Sequence, residues 1–111
     1  MNEIESHRKD LRCLSQLVKQ CANDPRNVSL LIQTARGFEK VKGWDQALKL
    51  YQMVLSVDKK QILAWNAIGL LAGKLGRWDL SQQAFEQSIY LKDNQKDILN
   101  NLGNVLRMKG L

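Results

Sequence analysis

The side chains that most often catalyse reactions or bind metals are sparse in this sequence and widely spaced. There is one histidine, His7, and there are two cysteines, Cys13 and Cys21. A catalytic set needs a nucleophile, a base and an orienting group that converge in one pocket, and a zinc site needs several cysteine or histidine ligands at short spacing. One histidine near the N-terminus and no Cys-x-x-Cys pair provide neither arrangement. We therefore predict a protein with no catalytic residues, no metal site and no cofactor.

The glycines, carboxylates and cysteines indicate no other reaction. Gly69, Gly73 and Gly76 lie close together, but they fall within a helical pattern and lack the Gly-Lys-Ser/Thr ending of a phosphate-binding loop. Asp and Glu occur mostly singly, without a carboxylate pair on one helix face. Cys13 and Cys21 lie about 12 Å apart along one predicted helix, which is too far for a disulfide. We expect both cysteines to be packing residues in a reducing, cytoplasmic environment.

A repeat with a period of about 34 residues runs through most of the sequence and determines how its helices are arranged. The large apolar residues of one unit recur at this offset in the next: Leu31, Trp44 and Tyr51 correspond to Trp65, Trp78 and Phe85. A further copy begins at Leu99. A unit of this length is one supersecondary element that cannot bury its own apolar face, so neighbouring units must stack. The sequence predicts a repeat array.

The residues of the second unit resemble the tetratricopeptide repeat (TPR), a helix–turn–helix of about 34 residues. The matching positions are Trp65-x-x-Ile68-Gly69, Gly76-x-Trp78-Asp79 and Phe85. The resemblance covers about residues 28–111 and implies an all-α fold, a right-handed α-solenoid of about six helices. Thr34 departs from the pattern where a large aliphatic residue is usual, and Ser81 and Ser88 depart where alanine is usual.

The repeat offset divides the chain into units. Residues 1–27 are predicted to form an N-terminal helix from a degenerate half repeat, 28–61 and 62–95 two full repeats, and 96–111 the first helix of a truncated third repeat or a capping helix. The predicted helices span residues 4–21, 28–41, 45–57, 61–75, 79–91 and 96–109. Asp45 and Asp79 are expected to cap helix starts, and Gly43 and Gly76 are expected to occupy the tight turns, where positive φ costs glycine nothing.

Small and aromatic residues at the repeat positions predict where helices touch. Gly69 and Gly103 fall where the first helix of a unit should approach the second most closely, and Ala47 takes the matching place on a second helix. The aromatic residues expected to fill the space between units are Trp65, Trp78, Tyr51 and Phe85.

The last predicted helix carries more apolar residues than one neighbouring hairpin can cover. We expect Leu102 and Leu106 to pack on the preceding hairpin, and Leu99, Val105 or Met108 to stay uncovered. An exposed apolar strip of this kind is a site for self-association through the C-terminal helix.

Charge and hydropathy limit the classes of partner. The net charge is +6, but the basic residues are scattered from Arg8 to Lys109, which is typical of solvated helix faces. Nucleic acid is therefore not the favoured partner. No segment approaches the roughly 20 apolar residues that a membrane span needs, so we expect no membrane insertion.

The TPR resemblance implies a function, because the first helices of such arrays line a concave groove that commonly holds peptides. We expect a non-catalytic protein–protein interaction module. Asn side chains suit the backbone of an extended peptide, and Arg and Lys suit its carboxylates, so the expected partner is a protein or an extended peptide with acidic groups. The residues expected to line the groove are Ile32, Arg36, Lys40, Asn66, Leu70, Lys74, Asn100, Asn104 and Arg107.

The clamp that some TPR proteins use for acidic chaperone tails is not reproduced, since Ile32, Ala67 and Asn100 stand where a lysine, an asparagine and a basic residue are needed.

Two alternatives to a peptide-binding module stay open. The chain could instead be an RNA-binding helical repeat that reads one base per unit, or a structural segment of a longer solenoid whose groove is unused.

Overall fold

A computed structural model describes residues 3–110, and within them all regular structure is α-helical. The six helices are α1 (Glu3–Asn23), α2 (Val28–Lys40), α3 (Trp44–Val57), α4 (Ile62–Lys74), α5 (Trp78–Leu91) and α6 (Lys96–Gly110). Each of the six predicted helices is present, and its ends lie within two residues of the predicted ones. The assignment of these helices to units 28–61, 62–95 and 96–111 stays a prediction.

The helices form a linear array. Each helix packs mainly against its neighbours in the chain, and α4 also touches α6. The radius of gyration is 15.1 Å and the extents are 41 × 32 × 21 Å, whereas a compact domain of this length has a radius of about 13 Å. The elongated shape follows from stacking hairpins side by side rather than around one centre.

The starts of α3 and α5 differ from the prediction. Both helices begin one residue before the aspartate, at Trp44 and Trp78, and the residues that precede them make no side-chain cap hydrogen bond. Asp45 and Asp79 are therefore first-turn residues rather than caps. Their carboxylates still complement the positive end of the helix dipole.

The turn inside each hairpin also differs in one detail. Gly76 has φ +73° as expected, but Gly43 has φ −83° and Lys42, with φ 61°, carries the left-handed conformation instead. Lys42 and Gly76 are separated by one repeat offset, so the left-handed position is the same in both hairpins. The sequence assignment to Gly43 was one residue late.

The interior consists of two clusters. The larger lies among α2, α3 and α4, where Leu31, Tyr51, Ile68 and their neighbours are almost fully buried. The smaller joins Phe85 of α5 to Ile98 and Val105 of α6. The array therefore has a strong centre and a weaker C-terminal contact.

Three polar side chains are buried within this interior, at the positions that depart from the repeat pattern. Thr34 donates to the Leu30 carbonyl at 2.8 Å. Ser81 donates to the Gly69 carbonyl at 2.7 Å, and the Ser88 hydroxyl donates to the Asn66 amide oxygen. Because a buried hydroxyl without a partner is costly, these bonds allow polar residues where the pattern has apolar ones.

The two cysteines have different environments. Cys21 is buried, with its sulfur 3.0 Å from the Thr34 hydroxyl. Cys13 is exposed, so the expectation that it packs in the interior was wrong. It lies on a part of α1 that no described helix covers, because the neighbouring α2 packs on the face that carries Leu14 and Cys21.

The packing of α6 corrects the prediction for two of its residues. Val105 is 4% exposed, and Leu106 is 47% exposed, the reverse of what was expected. The face that meets α5 is the one with Ile98, Leu102 and Val105, which share a helix face by their spacing. Leu99 and Met108 are exposed as expected.

Gly103 also lies away from the expected contact. A Cβ added to Gly103 would meet no atom of the described residues within 4 Å. The close approach predicted for this glycine is therefore absent, because no helix within residues 3–110 packs on its face.

Candidate functional site

The first part of the predicted groove is a cleft between α1 and α2. Arg36 and Lys40 line it from α2, and Lys9 lines it from α1, around a volume of about 520 Å³. Leu14 and Gly37 lie between these cations, and a Cβ on Gly37 would come within 3.0 Å of the Leu14 side chain. The small residue lets α1 approach α2, and this contact places Lys9 on the same cleft as the two α2 cations.

The acidic residue of α2 is held by a tyrosine. The Tyr51 hydroxyl donates to the Glu39 carboxylate at 3.0 Å. Burial raises the pKa of Tyr51 far above its usual range, the Glu39 charge raises the pKa further, and the Arg36 charge opposes both. The phenol therefore stays protonated and keeps donating, which fixes Glu39 against α3.

Asn66, a predicted groove residue, is engaged in contacts within the protein. Its amide oxygen accepts from Ser88, and its amide nitrogen donates to the Gln95 side chain at 3.1 Å. The Gln95 amide nitrogen in turn lies 2.7 Å from the Lys92 carbonyl oxygen. These bonds connect α4 to the end of α5 and the turn before α6, beside a cleft of about 440 Å³.

The other two α4 residues of the predicted groove differ in exposure. Leu70 is 50% exposed. The Lys74 ammonium lies 4.1 Å from the centre of the Trp44 ring, within the range of a cation–π interaction. This contact orients Lys74 toward the start of α3. On α2, the predicted groove residue Ile32 is half-buried against the main cluster.

The α6 residues lie on open surface. The Arg107 guanidinium donates to the Asn104 amide oxygen. Both residues border a cleft of about 760 Å³ with Met108 and Gly110, and Asn100 is exposed one turn earlier. Nearby, the Lys109 ammonium pairs with Asp79 of α5 at 2.8 Å.

The nine predicted residues thus belong to three separate clefts and the surface between them, and their assignment to one concave face stays a prediction. Sequence reasoning missed the α1 contribution of Lys9 and the anchoring role of Gln95. The signal for the first was available, because the repeat offset aligns Leu17 of α1 with Tyr51 of α3. That alignment predicts that α1 packs on α2 as α3 packs on α4.

Two further kinds of feature are absent from residues 3–110. Within residues 3–110, no three His, Cys, Asp or Glu side chains are grouped so that they could hold a metal ion. No described helix has the length and apolar character that crossing a membrane requires.

Comparison with known proteins assigns the family. The family model described as the CABIN1 N-terminal domain matches residues 18–110. The chain belongs to this family. Among curated proteins, it is 29% identical over 80 residues to tetratricopeptide repeat protein 37 of Xenopus laevis. It is 27% identical over 109 residues to calcineurin-binding protein 1 of Arabidopsis thaliana. Those matches cover 72% and 93% of this chain, but only 5% and 6% of the relatives' length.

Solved structures identify the fold of this member of the CABIN1 N-terminal domain family as that of TPR arrays. The first TPR of Spaghetti (RPAP3), bound to the HSP90 peptide SRMEEVD, matches with a TM-score of 0.84 at 16% identity, over 99% of this chain and 87% of that one. A MamA crystal structure matches with a TM-score of 0.86 at 18% identity, over 99% and 66%. The second TPR domain of human RPAP3, in complex with the HSP70 peptide SGPTIEEVD, matches with a TM-score of 0.78 at 21% identity, over 90% and 83%. The TPR resemblance and the all-α array are therefore confirmed, and these similarities indicate no catalytic family.

Proposed function

We propose that this domain is a non-catalytic protein-interaction module that binds an extended acidic segment of a partner protein across α2, α4 and α6. The observation that carries the proposal is an excess of cations in the register of the first helices. Arg36, Lys40 and Arg107 border clefts, and the acidic residue of α2, Glu39, is bonded to Tyr51. Charge-assisted bonds to carboxylates are among the stronger polar contacts.

The structural neighbours support an acidic partner by analogy. The peptides bound to the two RPAP3 domains, SRMEEVD and SGPTIEEVD, both end in EEVD. In this chain Ile32, Ala67 and Asn100 replace the residues that clamp such peptide ends in related domains. We therefore propose that this surface binds acidic side chains within a segment rather than a terminal carboxylate.

The apolar part of the contact comes from α4. Leu70 is half exposed and stands one turn before Lys74, so it can bury an apolar side chain of the partner beside the basic groups. Asn66 supports this surface through its bonds to Ser88 and Gln95, which connect α4 to α5 and to the turn before α6. In our proposal Asn66 positions α4 and does not bind the partner directly.

Binding to pairs of labelled peptides tests the proposal. Each pair consists of an acidic nonapeptide and the same peptide with Gln and Asn in place of Glu and Asp. We expect fluorescence anisotropy to show tighter binding of the acidic member, and we expect amidation of its C-terminus to change the affinity little. Equal affinity for both members of every pair would contradict the proposal.

A triple variant tests the surface itself. Arg36→Ala, Asn100→Ala and Arg107→Ala together should weaken acidic-peptide binding at least tenfold. A matched triple of residues on other faces, Lys49→Ala, Gln83→Ala and Lys92→Ala, removes the same number of charges and should leave binding unchanged. Single-stranded RNA is the control polyanion. If RNA binds more tightly than every acidic peptide and loses its affinity steeply with salt, the RNA-binding alternative is favoured instead.

A further inference from the structure

The face of α6 that α5 does not cover combines two exposed leucines and a glycine. Leu99, Gly103 and Leu106 follow one another at helical spacing, and the two leucines are 48% and 47% exposed. Since a Cβ on Gly103 would meet nothing within 4 Å, the backbone of α6 is open to close approach there. A bare glycine between two exposed leucines forms a shallow apolar seat.

The equivalent position in α4 shows which side chains can pack on a glycine of this kind. Gly69, one repeat offset before Gly103, is covered by α5. The Phe85 ring lies so close to Gly69 that an added Cβ would be 2.6 Å from the ring atom Cδ1. Ser81 donates a hydrogen bond to the Gly69 carbonyl at 2.7 Å. A second helix that brings a small residue and a large one, four positions apart, therefore fits over this glycine.

The other end of the array carries a small and a large residue at the same spacing. Two steps of the repeat offset align Cys13 of α1 with Ser81, and Leu17 with Phe85. Cys13 and Leu17 both line the α1–α2 cleft of about 520 Å³. Cys13 is exposed, and Leu17 is half-buried. Hence α1 presents the small residue uncovered, and the large one only partly covered, since the Leu17 side chain lies beside Gly37 of α2.

We propose that two copies of this chain join head to tail, with α6 of one copy seated in the α1–α2 cleft of the next. Gly103 would then lie against Cys13 and Leu17, as Gly69 lies against Ser81 and Phe85. The incoming α6 would touch both α1 and α2, just as α4 touches both α5 and α6. Because the two joined surfaces differ, the contact does not close on itself and can add further copies.

On α6 this contact uses a different face from the proposed peptide surface, whereas in the α1–α2 cleft both proposals use the surface lined by Arg36 and Lys40. Asn100, Asn104 and Arg107 each follow a seat residue by one position, which turns them by about 100° around α6. An acidic peptide and an incoming α6 should therefore compete for the α1–α2 cleft, and their responses to salt, which should be opposite, distinguish the failure of one proposal from the failure of the other.

The charges determine how the contact should respond to salt. Lys9, Arg36 and Lys40 outnumber the acidic lining residue Asp10 in the cleft, while α6 has basic residues in its last turn, Arg107 and Lys109, of which Lys109 pairs with Asp79. Like charges on both sides oppose association, and apolar burial favours it. Added salt screens the repulsion, so we expect self-association to strengthen with salt, whereas acidic-peptide binding should weaken.

Disulfide trapping tests the proposed pairing of residues. In Gly103→Cys, the new thiol should lie beside Cys13 of the next copy, so mild oxidation should give a ladder of covalent dimers, trimers and longer species. Adding Cys13→Ser should abolish the ladder. Tyr90→Cys, at a position 84% exposed on α5, measures random collision. A ladder no faster than that of Tyr90→Cys would overturn the proposal. Dimers that form faster than those of Tyr90→Cys in the Cys13→Ser background would also overturn it, because they indicate a symmetric α6 pair.

Sedimentation tests the contact without covalent trapping. The unmodified chain should gain mass with concentration, and more so at high salt. Gly103→Leu should return it to a monomer without lowering the melting temperature of the monomer, because the space beside Gly103 is open and leucine favours the helix more than glycine does. Leu70→Ala, which removes an equally exposed leucine from α4, should leave association intact. A strict monomer at every concentration, or association that weakens with salt, would overturn the proposal.

Discussion

Two glycines of α4, one turn apart, have opposite roles at the level of single residues. A Cβ at Gly69 would come within 2.7 Å of three atoms of the buried Phe85 ring, whereas a Cβ at Gly73 would have ordinary contacts at 3.7 and 3.8 Å. Gly69→Ala should therefore destabilise the fold by about 1–3 kcal/mol through overpacking. Gly73→Ala should stabilise it by about 0.5–1 kcal/mol through helix propensity. Urea denaturation of both variants measures this, and shifts of the same sign would show that the packed face of α4 is misassigned.

The sequence predicted the apolar packing positions better than the polar ones. Large residues in the repeat register, such as Tyr51 and Phe85, are buried, because the period alone places them between helices. The partners of Ser81 and Asn66 were not predictable in the same way. Their bonds join α4 to α5 across 12 and 22 residues of sequence, and they depend on side-chain positions that periodicity does not determine. Asn66 was assigned to the groove because its type suits a peptide, although its amide serves the protein's own turn.

At the level of helices and turns, helix number and extent followed from the repeat, and the ends required finer information. Asp45 and Asp79 looked like caps because short carboxylates favour that position. Trp44 and Trp78 occupy the same repeat position, and each is the first residue of its helix. In the same way, the positive φ of the first turn was assigned to Gly43 because glycine adopts that conformation readily. Aligning Lys42 with Gly76 at the repeat offset gives the observed left-handed position. Residue type misled where register was the better guide.

Lys42 is the site where this conclusion can be tested. A non-glycine residue in the left-handed region costs about 1–2 kcal/mol, so Lys42→Gly should stabilise the α2–α3 hairpin by about 1 kcal/mol. Gly76→Lys, the reciprocal change at φ +73°, should destabilise the second hairpin by a similar amount. Thermal melts compare the two, with Lys49→Gly as an exposed helical control that should only destabilise. A loss of stability in Lys42→Gly would mean that its side chain contributes more than its backbone conformation costs.

At the level of the whole molecule, contacts pass from each helix to the next, so stability should vary along the array. The larger cluster draws most of its residues from α2, α3 and α4. By contrast, α1 buries only Leu14 and Cys21 among its 21 residues. The other end, α6, contributes Ile98 and Val105 to the smaller cluster. The sequence predicted the order of helices, but it assigned Leu106 rather than Val105 to the interface with α5. The reason is that the repeat pattern places apolar residues at positions that contact a following helix as well as at those that contact the preceding one.

Hydrogen exchange should show this gradient directly. Local opening needs the least free energy where few apolar contacts must break, so amides of α3 and α4 should exchange slowest and those of α1 and α6 fastest. Leu14→Ala should speed exchange in α1 and leave α4 nearly unchanged. Ile68→Ala, at the centre of the larger cluster, should speed exchange in α4 and in the helices it contacts, because losing a buried side chain of this size costs about 2–5 kcal/mol and α4 contacts α3, α5 and α6. Exchange measured by mass spectrometry on both variants decides the matter. If Leu14→Ala accelerates α4 as much as α1, the six helices open as one cooperative unit and the description as a nearest-neighbour array does not hold.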